Sequence, residues 1–174
     1  MAEKTRNQDL DEDLYDDEEG DTLKDRFLTF HIGEEDYGIE IAYVTEIVGI
    51  QKITAVPDMP DFIKGVINLR GQVIPVMDVR CRFSMTARPY DERTCVIVVK
   101  LNESSVGLVV DSVKEVIDIP EKNVSEPPRV AKADSARYIK GIGRVNEEVK
   151  ILLNIGKLLF EDEQLQLANV TKAA

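Results

Sequence analysis

One pattern occurs twice in this chain. Tyr37-Gly38-Ile39 followed by Val44-Thr45-Glu46-Ile47 matches Val106-Gly107-Leu108 followed by Val113-Lys114-Glu115-Val116, at a constant offset of 69 residues. Phe62-Ile63-Lys64-Gly65-Val66 matches Tyr138-Ile139-Lys140-Gly141-Ile142 at an offset of 76, and Ile74–Val79 pairs with Lys150–Ile155. A unit repeated in this way cannot bury its apolar face alone, so the two copies, about 37–79 and 106–155, are expected to pack on each other. The β-prone runs are 26–32, 37–41, 44–50, 64–69, 72–77, 94–101, 105–110, 113–119, 138–145 and 148–153. All are short, rich in Val and Ile, and bounded by Gly, Pro, Asn or Ser, which reads as strands and tight turns. Short helices are expected after Asp78 and over 154–160, with one more over 162–170. The chain is therefore predicted to be mainly β, as two small barrels packed together.

The repeat also serves as an internal control. Positions common to both copies are candidates for the fold, and exposed differences are candidates for function. Gly38 and Gly107 are common, which points to a bulge or a close backbone approach. At the second hairpin, Asn68-Leu69-Arg70-Gly71-Gln72 faces Arg144-Val145-Asn146-Glu147-Glu148. The second copy turns without the Arg-Gly pair, so the turn itself does not require Arg70.

Charge is unevenly spread. Of the net −11, residues 1–25 carry −8, from eleven acids and three bases, and the other 149 residues carry −3. The leader has too few apolar anchors to offset its ordering entropy and is expected to be a disordered acidic tail over 1–25. It could serve as a solubilising leader or as an electrostatic arm. The domain is expected over 26–160, with 161–174 a helix or tail. A nearly balanced body with no basic stripe and no tryptophan argues against nucleic-acid binding. No apolar run reaches the length of a membrane span, and the N-terminus lacks a signal-peptide layout. Cys81 and Cys95 form no CxxC motif and are read as free thiols of a cytoplasmic protein.

Catalytic constellations are thin. The one histidine, His31, lies in a β-prone run and is read as structural or exposed. HExxH, GxSxG and GxxxxGKS/T are absent, which removes the usual carriers of metal hydrolysis, acyl transfer and P-loop chemistry. Gly141-Ile142-Gly143 opens like a dinucleotide fingerprint but lacks the third glycine and the following helix. No enzymatic activity, cofactor or metal is expected.

Several ordered, ungapped stretches resemble the CheW family over nearly all of 26–160. They are Glu35–Ile41, Val44–Ile47, Phe62–Gly71, Val73–Arg80 and Val106–Asp111. The resemblance implies two SH3-like five-stranded barrels on a shared hydrophobic core. It also implies a non-catalytic adaptor that binds the regulatory domain of the histidine kinase CheA and the helical cytoplasmic tip of a chemoreceptor. An apolar groove with a polar rim suits such a helix. By the same resemblance, Val44, Glu46, Ile47 and Arg70 are receptor-binding residues, and Arg70 also supports kinase coupling. Val44 and Ile47 recur as Val113 and Val116, so core packing is an equal reading for them. Glu46 recurs as Glu115, which leaves a conformational role open. Arg70 has no counterpart and is read as functional. The protein is expected to be a monomer in isolation, recruited to membrane-associated receptor arrays without inserting in the membrane. Alternatives are a module of a non-motility chemosensory system, a generic SH3-like peptide binder, or a small enzyme using carboxylates at the barrel junction.

Overall fold

The computed structural model describes residues 23–127 and 137–160. The helix expected over 162–170 and the acidic leader before Leu23 lie outside the described residues. The strands are β1 (Arg26–Ile32), β2 (Glu35–Glu40), β3 (Val44–Gly49), β4 (Ile63–Leu69), β5 (Gln72–Asp78), β6 (Cys95–Leu101), β7 (Ser104–Val110), β8 (Ser112–Asp118), β9 (Val124–Ser125), β10 (Ile139–Val145) and β11 (Glu148–Leu153). Two short helices, α1 (Val79–Arg82) and α2 (Ile155–Phe160), follow β5 and β11. The fold is mainly β and SH3-like, in two sheets. Barrel I has the order β3-β6-β7-β5-β4, and barrel II has β8-β1-β2-β11-β10 with the two-residue β9 added at its edge. Nothing in the sequence marked β9. Its counterpart in barrel I is a single bridge, Thr54 to Val66.

The two copies share their registers. Glu46 pairs with Val98 in barrel I and Glu115 with Thr29 in barrel II, while Lys100 pairs with Ser105 and His31 with Asp36. These equivalences show that the leading hairpins are exchanged. β1–β2, from the first copy, belongs to barrel II, and β6–β7, from the second, belongs to barrel I. Each exchange is made by a parallel pair, Leu152 beside Gly38 and Val76 beside Gly107. A Cβ on Gly38 would stand 3.0 Å from Leu152, and one on Gly107 would stand 2.7 Å from Val96. Both glycines thus allow the close approach at the exchange joint.

Both helices start on the same cap. Asp78 Oδ1 accepts from the Cys81 amide at 3.3 Å, and Asn154 Oδ1 accepts from the Lys157 amide at 3.0 Å, which satisfies one orphan donor in each helix. The core falls into three parts. The largest lies between the barrels and includes Phe30, Ile39, Met77, Ile97, Leu108, Tyr138 and Leu158. Ile67, Ile74, Val76, Val96 and Val98 fill barrel I, whereas Phe27, Ile119 and Leu152 fill barrel II more sparsely. Cys81 and Cys95 are free thiols.

Candidate interaction site

The hairpin β4–β5 turns in two residues, with Leu69 opposite Gln72. Arg70 has φ 51° and Gly71 φ 84°, a pair of left-handed residues of the type I′ kind that matches strand twist. Asn68 Oδ1 supports the turn by accepting from the Gly71 amide at 2.9 Å. The β10–β11 turn is built the same way, with Asn146 at φ 49° and Glu147 at φ 69°. Asparagine and glycine suit such positions, while arginine there is uncommon. Its side chain projects outward, 77% exposed, and its guanidinium pairs with the Glu46 carboxylate.

Glu46 is carried by β3, one of the two edge strands of barrel I. A register shift between Val44 and Glu46 leaves Thr45 as the extra residue. Its hydroxyl donates to the Val98 carbonyl at 3.1 Å. The four sequence-predicted residues separate here. Glu46 and Arg70 meet, while Ile47 lies on the other face of β3, opposite Ile97 and 42% exposed. Val44 instead packs against the core between the barrels, as does its counterpart Val113. Val116, the counterpart of Ile47, is likewise exposed at 49%.

Between the edge of β3, the Arg70 turn and the β6–β7 hairpin lies a cleft of about 390 Å³. Leu69, Ile74 and Val98 form its buried floor, and Thr45, Glu46, Arg70, Gln72, Lys100 and Ser105 form its rim. Lys100 was not singled out from the sequence. The available signal was alternation, because Val96, Val98 and Lys100 share one face of β6. Lys100 makes no ion pair with a described residue, whereas its equivalent in barrel II, His31, lies 2.7 Å from Asp36.

Two other charged groupings tie the fold together. Around Asp36, the Lys150 ammonium, only 2% exposed, and Lys114 converge on one carboxylate, and Lys150 also donates to Glu148 at 2.9 Å. Burial acts to raise the Asp36 carboxyl, but the hydrogen bonds from Lys150 and Lys114 outweigh it and hold it below its ordinary value. Burial likewise acts to lower Lys150, and its bonds to Asp36 and Glu148 raise it instead. Asp111 accepts from Arg80 at 2.8 and 2.6 Å and from the Gly33 amide at 2.8 Å, joining α1, the β1–β2 turn and the end of β7. Its carboxyl is also held low, because these bonds overcome burial.

A cavity of about 690 Å³ opens in barrel II over Phe27, Ile119 and Leu152, with the Glu40–Lys140 ion pair on its wall. It contains no pairing of a nucleophile with a base. Among the described residues no group of three His, Cys, Asp or Glu is placed to hold a metal ion. No helix among them is long and apolar enough to cross a membrane.

Comparison with known proteins agrees with this geometry. The family model of the CheW-like domain matches residues 26–163. The chemotaxis protein CheW of Klebsiella aerogenes is 40% identical over 154 residues, covering 88% of this chain and 93% of its own length. That of Treponema pallidum is 34% identical, covering 83% and 88%. The crystal structure of the scaffolding protein TtCheW from Thermoanaerobacter tengcongensis superposes with a TM-score of 0.73 at 36% identity, covering 79% of this chain and 94% of that one. With a matching domain model, relatives of similar length and a shared two-barrel fold, the chain belongs to the CheW family and is a chemotaxis adaptor.

Proposed function

We propose that this chain couples the regulatory domain of the histidine kinase CheA to the cytoplasmic tip of a chemoreceptor, by binding alone and without turnover. The observation that carries this reading is the edge of barrel I, where β3 presents the Glu46–Arg70 pair on one face and exposed Ile47 on the other. An exposed apolar residue and a fixed charged pair on one edge strand suit an amphipathic helix, which needs a greasy contact for affinity and a polar contact for register. Arg70 contributes a planar fork of donors for partner carboxylates or carbonyls and serves both receptor binding and kinase coupling. Ile47 supplies apolar contact. Glu46 holds Arg70 in place. Val44 acts one step removed, by fixing the start of β3 on the core. Binding both partners would recruit the protein to receptor arrays at the membrane without inserting it.

The test is a pull-down of purified kinase and receptor-tip fragments by the full chain, with a phosphate-release assay alongside. Capture of both fragments and no ATP turnover above the blank is expected. Failure to capture either one, or turnover that tracks protein concentration through purification, would overturn the proposal.

A further inference from the structure

The rim of the barrel I cleft can be read against its own copy in barrel II. By the shared registers, Lys100 stands where His31 stands, Ser105 where Asp36 stands, and Thr45 where Lys114 stands. On the second hairpin, Gln72 takes the place of Glu148 and Ile74 that of Lys150. In barrel II this position is closed by the chain's own chemistry. The Asp36 carboxylate, its side chain 14% exposed, is approached by His31, Lys114 and Lys150. In barrel I the acid is missing, because Ser105 replaces it, and the space remains an open cleft of about 390 Å³.

Two cations nevertheless face that space. Lys100 is exposed and makes no ion pair with a described residue, and Arg70 is tied to Glu46 through a single nitrogen. An arginine has five donors in a fixed fork, so Arg70 can hold Glu46 and a second carboxylate together. Ser105 and Gln72 add neutral donors at the rim, and Leu69, Ile74 and Val98 form a floor for the methylenes of the entering side chain. One anion against two cations gives the cleft a local positive excess in a chain whose net charge is −11. Such a site attracts an acidic group.

We propose that this cleft is a carboxylate-binding site, filled by a Glu or Asp side chain of the receptor-tip helix at the place Asp36 occupies in barrel II. The proposal rests on the adaptor reading above and names the group by which the partner is held. Lys100 and Arg70 grip the acid from the rim, and Glu46 keeps the Arg70 guanidinium beside the cleft mouth.

The experiment is titration calorimetry of the full chain with a receptor-tip fragment and, separately, with a kinase fragment. Thermal unfolding of each variant is recorded in parallel. Lys100→Glu should weaken receptor binding roughly tenfold or more with an unchanged thermal midpoint, whereas Lys122→Glu, the same charge change far from the cleft, should bind as the parent does. Ser105→Asp supplies the missing acid from within. It should hold or raise the thermal midpoint and still weaken receptor binding roughly tenfold, a combination that a merely structural role would not produce. Parent-like receptor binding by both Lys100→Glu and Ser105→Asp overturns the cleft and leaves the adaptor reading intact. A loss confined to the kinase fragment overturns the assignment to the receptor. If the parent chain itself does not bind the receptor-tip fragment, both the adaptor reading and the cleft fall.

Discussion

Phe62 and Tyr138 stand at equivalent positions of the two repeats, and both rings lie against the same guanidinium. Arg82 Cζ is 4.2 Å from the ring centroid of Phe62 and 4.6 Å from that of Tyr138. The backbone repeats the relationship, because the Phe62 carbonyl accepts from the Asp78 amide and the Tyr138 carbonyl from the Asn154 amide, each at 2.7 Å. The position equivalent to Arg82 is Leu158, so one copy brings a cation to the junction and the other an aliphatic side chain.

Arg82 is 6% exposed, and both its stem and its charged plane are in contact. Arg82→Ala should lower stability by about 2 kcal/mol through lost packing and cation–π contact. Arg82→Lys should recover less than half of that, since an ammonium cannot stack on two rings. Urea unfolding with an unchanged denaturant slope checks both values.

Arg70 separates turn preference from function. Arg70→Asn places the favoured residue at φ 51° and should leave stability unchanged or raise it by up to about 1 kcal/mol. The Glu46 pair it removes is too exposed to offset this by much. Binding should move the other way and weaken by about 2 kcal/mol, close to 30-fold. Arg70→Glu should weaken it further by repulsion from an acidic partner group. Calorimetry beside thermal melts would show the split, and parallel losses in both would make Arg70 a structural residue.

The architecture was legible because Val and Ile alternation with Gly and Asn turns is a local signal, and a repeat doubles it. Each expected β run in the described residues became a strand, with ends shifted by a residue or two. The hairpin exchange was not legible, because the partner of a strand is a tertiary choice that β1 and β6 alone do not encode. Val44 and Ile47 looked alike in the sequence, and the register shift at Thr45 sets both on the face of β3 that lies opposite Val99 and Ile97; what separates them is cover, because the core between the barrels reaches Val44 and stops short of Ile47. Lys100 passed unnoticed because its significance lies in Ser105 across the hairpin, a missing acid rather than a present one.

Gly65 should be intolerant of any side chain. Its φ is 143°, and a Cβ there would overlap the Thr54 carbonyl, at the bulge that Gly141 repeats in barrel II. Gly65→Ala should cost about 3 kcal/mol or more. Gly71→Asn, at φ 84° with open space around it, should cost about 1 kcal/mol or less. Equal thermal midpoints for the two variants would contradict the geometry.

Stability should also depend on pH in a defined direction. Asp36 and Asp111 are held below their ordinary value of 3.8, so their contribution is complete above it and is lost as pH falls through the depressed folded values. Lys150 is raised above its ordinary 10.5, so its contribution is complete below that and is lost only as pH rises through the still higher folded value. Thermal midpoints should therefore fall on the acid side of about pH 4. Lys150→Met should cost about 1 to 2 kcal/mol near neutrality, because it removes one cation from the partly buried Asp36 carboxylate and leaves Lys114 and His31 against it, and Asp36→Asn in the same chain should restore part of the loss.

The exchanged hairpins mean that this adaptor cannot be divided at the boundary between its repeats. Cut in the loop between Arg82 and Cys95, the first fragment would hold β1–β2 with no barrel to join and β3–β5 with no inner hairpin, and the second would face the mirrored deficit. Each piece alone should stay unfolded, and the two mixed should reassemble into one body, as interlocked parts do. For the intact chain this predicts a single melting event for both barrels. A partner that grips barrel I then steadies barrel II by the same free energy, so the two faces of the protein form or fail together.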